Sequence, residues 1–277
     1  MHEIAFADAT RVPALGQGTW RMGEKGSDRT AEARALQLGL DLGMTLIDTA
    51  EMYSDGGSEE VVGAAIAGRR DEVFLVSKAY PQNATRAGLA RACAGSLRRL
   101  GTDRLDLYLL HWRGAVPLVE TIAGFDDLRR AGKILRWGVS NLDVDDMAEL
   151  QAISGGAACA ANQVLYNPEH RGIEFDLMGW CAARHMPIMA YSPVGQGGRL
   201  LRHAALREVA ARHGTTPAQV AIAWALRPGL IVIPKAADLG HVRENAAAGA
   251  LVLSEADRAA IDRAFPPPTR PAPLAIL

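Results

Sequence analysis

Leu105-Asp106-Leu107-Tyr108-Leu109-Leu110, then the segment Leu118 to Arg130, then Ile134-Leu135-Arg136-Trp137-Gly138-Val139 form the stretch that decides the fold. The first and last runs are short and almost continuously apolar, as in parallel strands buried on both faces. The segment between them has helical spacing. Strand, helix, strand in that order makes a parallel βαβ unit, because parallel neighbours need a crossover.

The same alternation extends in both directions. Apolar runs bounded by turn chemistry recur at Thr45 to Ile47, Val73 to Val76, Cys159 to Val164, Ile188 to Tyr191 and Leu230 to Ile233, and the run around Ala14-Leu15-Gly16 makes eight. Helical patterns fall between them at Thr30 to Leu42, Ser58 to Ala67, Arg86 to Leu100 and Thr216 to Leu226, several opened by Ser, Thr or Asp as N-caps. Eight units predict an α/β chain folded as a (β/α)8 barrel of the TIM type, with residues 1–277 as one domain. A doubly wound sheet would have fewer strands and a phosphate loop at its first turn. Gly16-Gln17-Gly18 opens like that loop, but Arg21 stands where its third glycine belongs. A small hairpin is expected around Asp8-Ala9-Thr10. The proline-rich tail, Phe265 to Leu277, is expected to lie as a loop over the barrel mouth.

Of the 277 residues 49% are hydrophobic and 22% charged, and the net charge is -1, so neither nucleic acid nor a membrane surface is an expected partner. The three cysteines, Cys93, Cys159 and Cys181, are scattered and read as free buried thiols; no metal is expected. Without a leader pattern or an apolar run long enough to span a bilayer, the chain reads as cytoplasmic. A barrel of this size can stand as a monomer.

In a parallel barrel the residues at the carboxyl ends of the strands share one mouth, where chemistry collects. Asp48 follows Thr45-Leu46-Ile47, Lys78 follows Val76-Ser77, His111 follows Leu109-Leu110, and Tyr53 lies on the loop after Asp48. A phenol ordinarily titrates near 10. A neighbouring ammonium favours its phenolate, and a carboxylate keeps that ammonium charged in a dry site. An imidazole adds a hydrogen bond to a carbonyl oxygen. Together the four form a proton-donating site.

These words, with Val12-Pro13-Ala14-Leu15-Gly16-Gln17-Gly18-Thr19-Trp20, Leu42 to Ala50, Gly138-Val139-Ser140-Asn141 and Ile233-Pro234-Lys235, resemble the aldo-keto reductases over nearly the whole chain. Among the branches of that family, the chain looks most like the bacterial reductases acting on methylglyoxal and related aldehydes. The resemblance implies NADP(H)-dependent reduction of small aldehydes, ketones and ketoaldehydes to alcohols, with Tyr53 as general acid alongside Lys78, Asp48 and His111. It implies cofactor contacts from Gly18, Thr19, Trp20 and Asp48, and a carboxamide site at Ser140, Asn141 and Gln163. Tyr191 would stack on the nicotinamide, Ser192, Pro193, Val194 and Gly195 would follow the pyrophosphate, and Ile233, Pro234 and Lys235 with His241, Glu244 and Asn245 would hold the adenosine end. Trp20, Tyr53, His111 and Trp112 would meet the substrate, with Met22, Met52 and the tail nearby.

One departure concerns the 2′-phosphate. The family pattern follows its lysine with a hydroxyl residue and later an arginine, whereas this chain has Ala236 and His241 there. The expectation is NADPH with weakened discrimination against NADH. Arg243 would compensate only if it shared a helix face with His241, which residues two apart do not. Two other readings stay open at this point. One is a nicotinamide-binding regulatory subunit with little turnover; the other is a barrel hydrolase or isomerase using Asp48 and His111.

Overall fold

A computed structural model describes residues 2–277. Two short strands, β1 (Glu3–Ala5) and β2 (Arg11–Pro13), pair antiparallel as the expected hairpin, with Ala9 in the left-handed region and Asp8 accepting from Thr10 N at 3.0 Å. Eight parallel strands follow in one sheet, ordered as in the chain. They are β3 (Gln17–Gly18), β4 (Leu46–Asp48), β5 (Phe74–Ala79), β6 (Leu105–Leu110), β7 (Ile134–Ser140), β8 (Asn162–Leu165), β9 (Ile188–Tyr191) and β10 (Leu230–Ile233). The sheet closes on itself: Gly16 N donates to Val232 O at 2.9 Å, Gly18 N to Pro234 O at 3.0 Å and Val232 N to Ala14 O at 2.7 Å. Gly18 permits this seam, since a Cβ there would stand 2.8 Å from the Ile233 carbonyl oxygen.

Helices cover the outside: α1 (Arg29–Asp41), α2 (Gly57–Ile66), α3 (Arg86–Leu100), α4 (Leu118–Arg130), α5 (Val144–Ala152), α6 (Leu177–Ala182), α7 (Arg199–Arg202), α8 (Ala204–His213), α9 (Pro217–Ala225), α10 (Leu239–Ala248) and α11 (Glu255–Ala264). Caps explain several starts. Asp28, Thr85 and Asp143 each accept from a backbone N–H in the first turn of α1, α3 and α5, and Thr216 with Gln219 forms a capping box on α9.

Two apolar clusters result. Leu46, Val76, Leu107, Leu109, Met189 and Ile231 fill the barrel, and Ile4, Phe6 and Val12 of the hairpin close its lower end. Arg136 on β7 fastens that plug, with its guanidinium beside the stacked rings of Phe6 and Phe74 and bonded to Asp8 at 2.7 Å. The larger cluster lies between strands and helices.

Some strand limits differ from the apolar runs. Asp48 is the last residue of β4, and Ser77 and Lys78 lie inside β5, because the parallel ladder continues through Asp48 opposite Val76 and Lys78 opposite Leu109. A polar residue still pairs its backbone. Cys159 to Ala161, conversely, precede β8, which begins at Asn162 after a 3-10 turn over Gly156–Ala158.

Candidate active site

Alternation along each strand decides which side chains face the barrel axis. Leu107 and Leu109 point inward, so His111 does too; Leu46 sets the direction of Asp48, Val76 that of Lys78, Ala161 that of Gln163 and Met189 that of Tyr191. All these polar residues follow the apolar layer at the carboxyl end of the barrel. They meet there at the head of a cavity of about 750 Å³.

Lys78, with a fully buried side chain, is the hub. Its Nζ donates to Asp48 Oδ2 at 2.7 Å, to Thr49 O at 2.9 Å and to Tyr53 OH at 3.1 Å. Asp48 accepts a further bond on Oδ1 from Gln163 Nε2 at 2.7 Å, so both carboxylate oxygens are committed. Tyr53 and His111 meet edge to face, with ring centroids 5.8 Å apart. Lys78 itself does not line the cavity; Asp48, Tyr53 and His111 do.

Burial competes with charge at each group. It pushes the Tyr53 phenol up, and although the Lys78 ammonium pulls the other way, the net shift is upward, so the hydroxyl keeps its proton at neutral pH. For Lys78, burial favours the neutral amine, but Asp48 and then Tyr53 outweigh it and leave the pKa above the ordinary lysine value. Burial, aided by Lys78, takes His111 down to about 2, so its ring is neutral. Among the described residues its Nδ1 is buried without a hydrogen-bond partner, and a neutral ring carrying its proton on Nε2 would offer that nitrogen as a donor.

The His111 shift has a measurable sign. A base whose folded pKa is depressed contributes stability that is complete above its unfolded value of about 6.5 and is lost as pH falls toward the folded value. Wild type should therefore lose about 2 kcal/mol more than His111→Asn between pH 7 and pH 5. Denaturant unfolding at several pH values checks this, and equal losses in both proteins would remove the linkage.

Beyond the tetrad the cavity passes Gly18, Thr19, Ser140, Asn141, Gln163 and Tyr191, then Ser192, Pro193 and Val194, and ends at Ile233, Lys235, His241, Glu244 and Asn245. Asn141, at φ 60°, is held from three sides: its Nδ2 donates to His111 O and Ser140 Oγ, and its Oδ1 accepts from Tyr191 OH at 3.0 Å. Ser140 Oγ donates to Gln163 O at 2.8 Å. Four strand ends, those of β6, β7, β8 and β9, are thereby locked into one polar wall. Asn245 is buried with no side-chain hydrogen bond among the described residues, which leaves an amide available to a ligand.

Trp20, Trp112 and Met52 flank the tetrad, and Ile276 and Leu277 of the tail cover the same cavity, as expected of that segment. Three expected positions lie elsewhere. Met22 is fully buried in the outer core, Pro234 contributes its carbonyl to the barrel seam, and Gly195 turns the loop at φ 57° without reaching the wall. Arg243 also misses the cavity, because it sits two residues from His241 on α10, on another face.

The sequence pattern did not reveal Arg21, Gln196, Gly197, Leu201, Thr216, Pro217 and Ala218, all of which line the cavity. Thr216-Pro217 announces a helix start. Nothing local says that this start faces the mouth.

Comparison with known proteins accords with this geometry. The profile described as the Aldo/keto reductase family matches residues 14–265. Methylglyoxal reductase YeaE of Escherichia coli K12 is 53% identical over 270 residues, covering 96% of this chain and 95% of its own. Methylglyoxal reductase DkgA of the same organism is 32% identical over 250 residues, covering 87% and 86%. A crystal structure of an aldo-keto reductase from Klebsiella pneumoniae in complex with NADPH superposes with a TM-score of 0.97 at 51% identity, covering 100% of both chains.

Proposed function

Because the chain belongs to the aldo/keto reductase family, we propose that it reduces small aldehydes and ketoaldehydes, methylglyoxal among them, with NADPH, using Tyr53 as the acid. The observation that supports this reading most strongly is the single ammonium of Lys78, bonded to both Asp48 and Tyr53 at the head of a long cavity. The substrate class follows the 53% identical methylglyoxal reductase and the short connection from Trp112 to Pro117, which gives the mouth little lid for a bulky ligand.

The donor set fits a dinucleotide. Ser140, Asn141 and Gln163 would hold the carboxamide, Tyr191 would face the nicotinamide ring, and Ser192, Pro193 and Val194 would follow the pyrophosphate. Lys235 and His241 would take the 2′-phosphate, with Glu244 and Asn245 near the adenine. When bound, the reduced nicotinamide supplies a hydride to the carbonyl carbon.

The protein's own task is to handle the proton. Tyr53 O–H donates to the substrate oxygen as negative charge develops there, and neutral His111 provides a second hydrogen bond through Nε2. The phenolate left behind is stabilised by the Lys78 ammonium, whose charge Asp48 retains. Burial keeps Tyr53 protonated before the reaction, while Lys78 limits the cost of losing that proton. Trp20 and Trp112 restrict water at the reacting carbon.

Consumption of NADPH across a panel of carbonyl compounds tests the assignment; binding of NADPH with no turnover of any of them would overturn it. Cofactor preference gives a second test. His241→Arg adds a permanent bidentate cation and should raise the ratio of kcat/KM for NADPH over NADH about tenfold or more. A clear NADH preference in wild type would contradict the role of Lys235.

A further inference from the structure

The residues next to the acid pair are tied together outside the cavity. Ser77 and Lys78 are neighbours on β5, so Lys78 points into the barrel and Ser77 points out toward α2. There Ser77 Oγ donates to Glu59 Oε1 at 2.6 Å. Glu59 is 0% exposed, and its other oxygen receives Arg99 of α3 at 2.6 and 2.7 Å. A carboxylate so placed is costly unless fully paired.

Arg99 also supports the turn that holds Tyr53. Directly after Tyr53 the backbone takes three consecutive left-handed residues, Ser54 at φ 53°, Asp55 at φ 51° and Gly56 at φ 88°. Two of these are not glycine, so the turn is strained and needs outside support. Ser54 Oγ fastens one side to Met22 O at 2.8 Å. On the other side a Cβ at Gly56 would stand 2.5 Å from Arg99 Cδ and Nε, which shows how closely the guanidinium stem packs beneath the turn. Glu59 therefore joins the strand bearing Lys78 to the arginine under the loop bearing Tyr53.

We propose that Glu59 is a positioning residue for the acid pair, acting through Ser77 on Lys78 and through Arg99 on the Tyr53 turn. The Tyr53 to Lys78 bond, 3.1 Å long, is at the long end of the hydrogen-bond range, so a small displacement of either partner weakens it. This inference rests on the acid role assigned to Tyr53 above. It adds a brace that touches neither substrate nor cofactor.

Ser77→Ala removes one strut and leaves Glu59 paired with Arg99. Its kcat should fall about tenfold with NADPH affinity, read by fluorescence quenching, unchanged. The alkaline limb of its pH profile should move upward, because a more distant ammonium lowers the Tyr53 pKa less. Ser77→Thr keeps the hydroxyl and should keep the wild-type profile. Val12→Ala, in the hairpin at the far end of the barrel, serves as a destabilised control whose profile stays in place. Should Ser77→Ala fail to fold, Arg99→Lys at a partly exposed position carries the same measurement. A wild-type alkaline limb that is present but unmoved in these variants, with only thermal stability lost, overturns the positioning role. A wild-type profile without a limb that depends on Tyr53 overturns the acid assignment instead.

Discussion

Tyr53→Phe is expected to lower carbonyl reduction about a thousandfold while leaving NADPH affinity nearly unchanged. The substitution removes one oxygen and keeps the ring, so the edge-to-face contact with His111 survives. What disappears is the hydroxyl 3.1 Å from Lys78 Nζ, a donor at the cavity whose proton loss this ammonium can stabilise. Neutral His111, held near pKa 2 by burial, retains a hydrogen bond to the substrate oxygen but is a poor source of a full proton without a cation forming beside Lys78. Residual activity should therefore reflect hydride delivery unaided by an acid. Single-turnover measurements separate this loss from product release, and a rate within a few-fold of wild type would contradict the role of Tyr53.

Lys78→Met should damage both rate and stability. Met replaces the stem with similar apolar volume but leaves Asp48 Oδ2, buried with its side chain 3% exposed, without its ion partner. Removing one member of a buried pair costs about 3–5 kcal/mol, since the surviving charge keeps its desolvation penalty. Tyr53 at the same time loses the group that opposes burial, so its proton is held more tightly. The expected result is a loss of turnover comparable to that of Tyr53→Phe together with a lower denaturation midpoint. Lys78→Met, Asp48→Asn should recover part of the stability and none of the rate. Recovery of activity in the double variant would mean that the ammonium is not required.

Much of this was legible in the residues themselves. Leu105 to Leu110, Ile188 to Tyr191 and Leu230 to Ile233 match β6, β9 and β10 end to end, because strands buried on both faces read as nearly continuous apolar runs. Asp48 and Lys78 read from sequence as lying just beyond their strands rather than within them, since apolar content is blind to a polar residue that still completes a backbone ladder. The tetrad emerged because each member stands at a strand end or on the following loop. The far wall at Thr216, Pro217 and Ala218 did not, because its position depends on how α9 tilts against the barrel. The link from Ser77 through Glu59 to Arg99 was equally hidden. It arises from three elements whose mutual rotation only the packed structure defines.

Hydride transfer from nicotinamide to a carbonyl carbon in this cavity can be followed by supplying NADPH deuterated at both nicotinamide C4 positions together with methylglyoxal and analysing the product. The expected product is an alcohol carrying one deuterium on the former carbonyl carbon, formed in step with oxidation of the cofactor. Tight binding of the cofactor with unlabelled, unreduced methylglyoxal recovered at the end would contradict it.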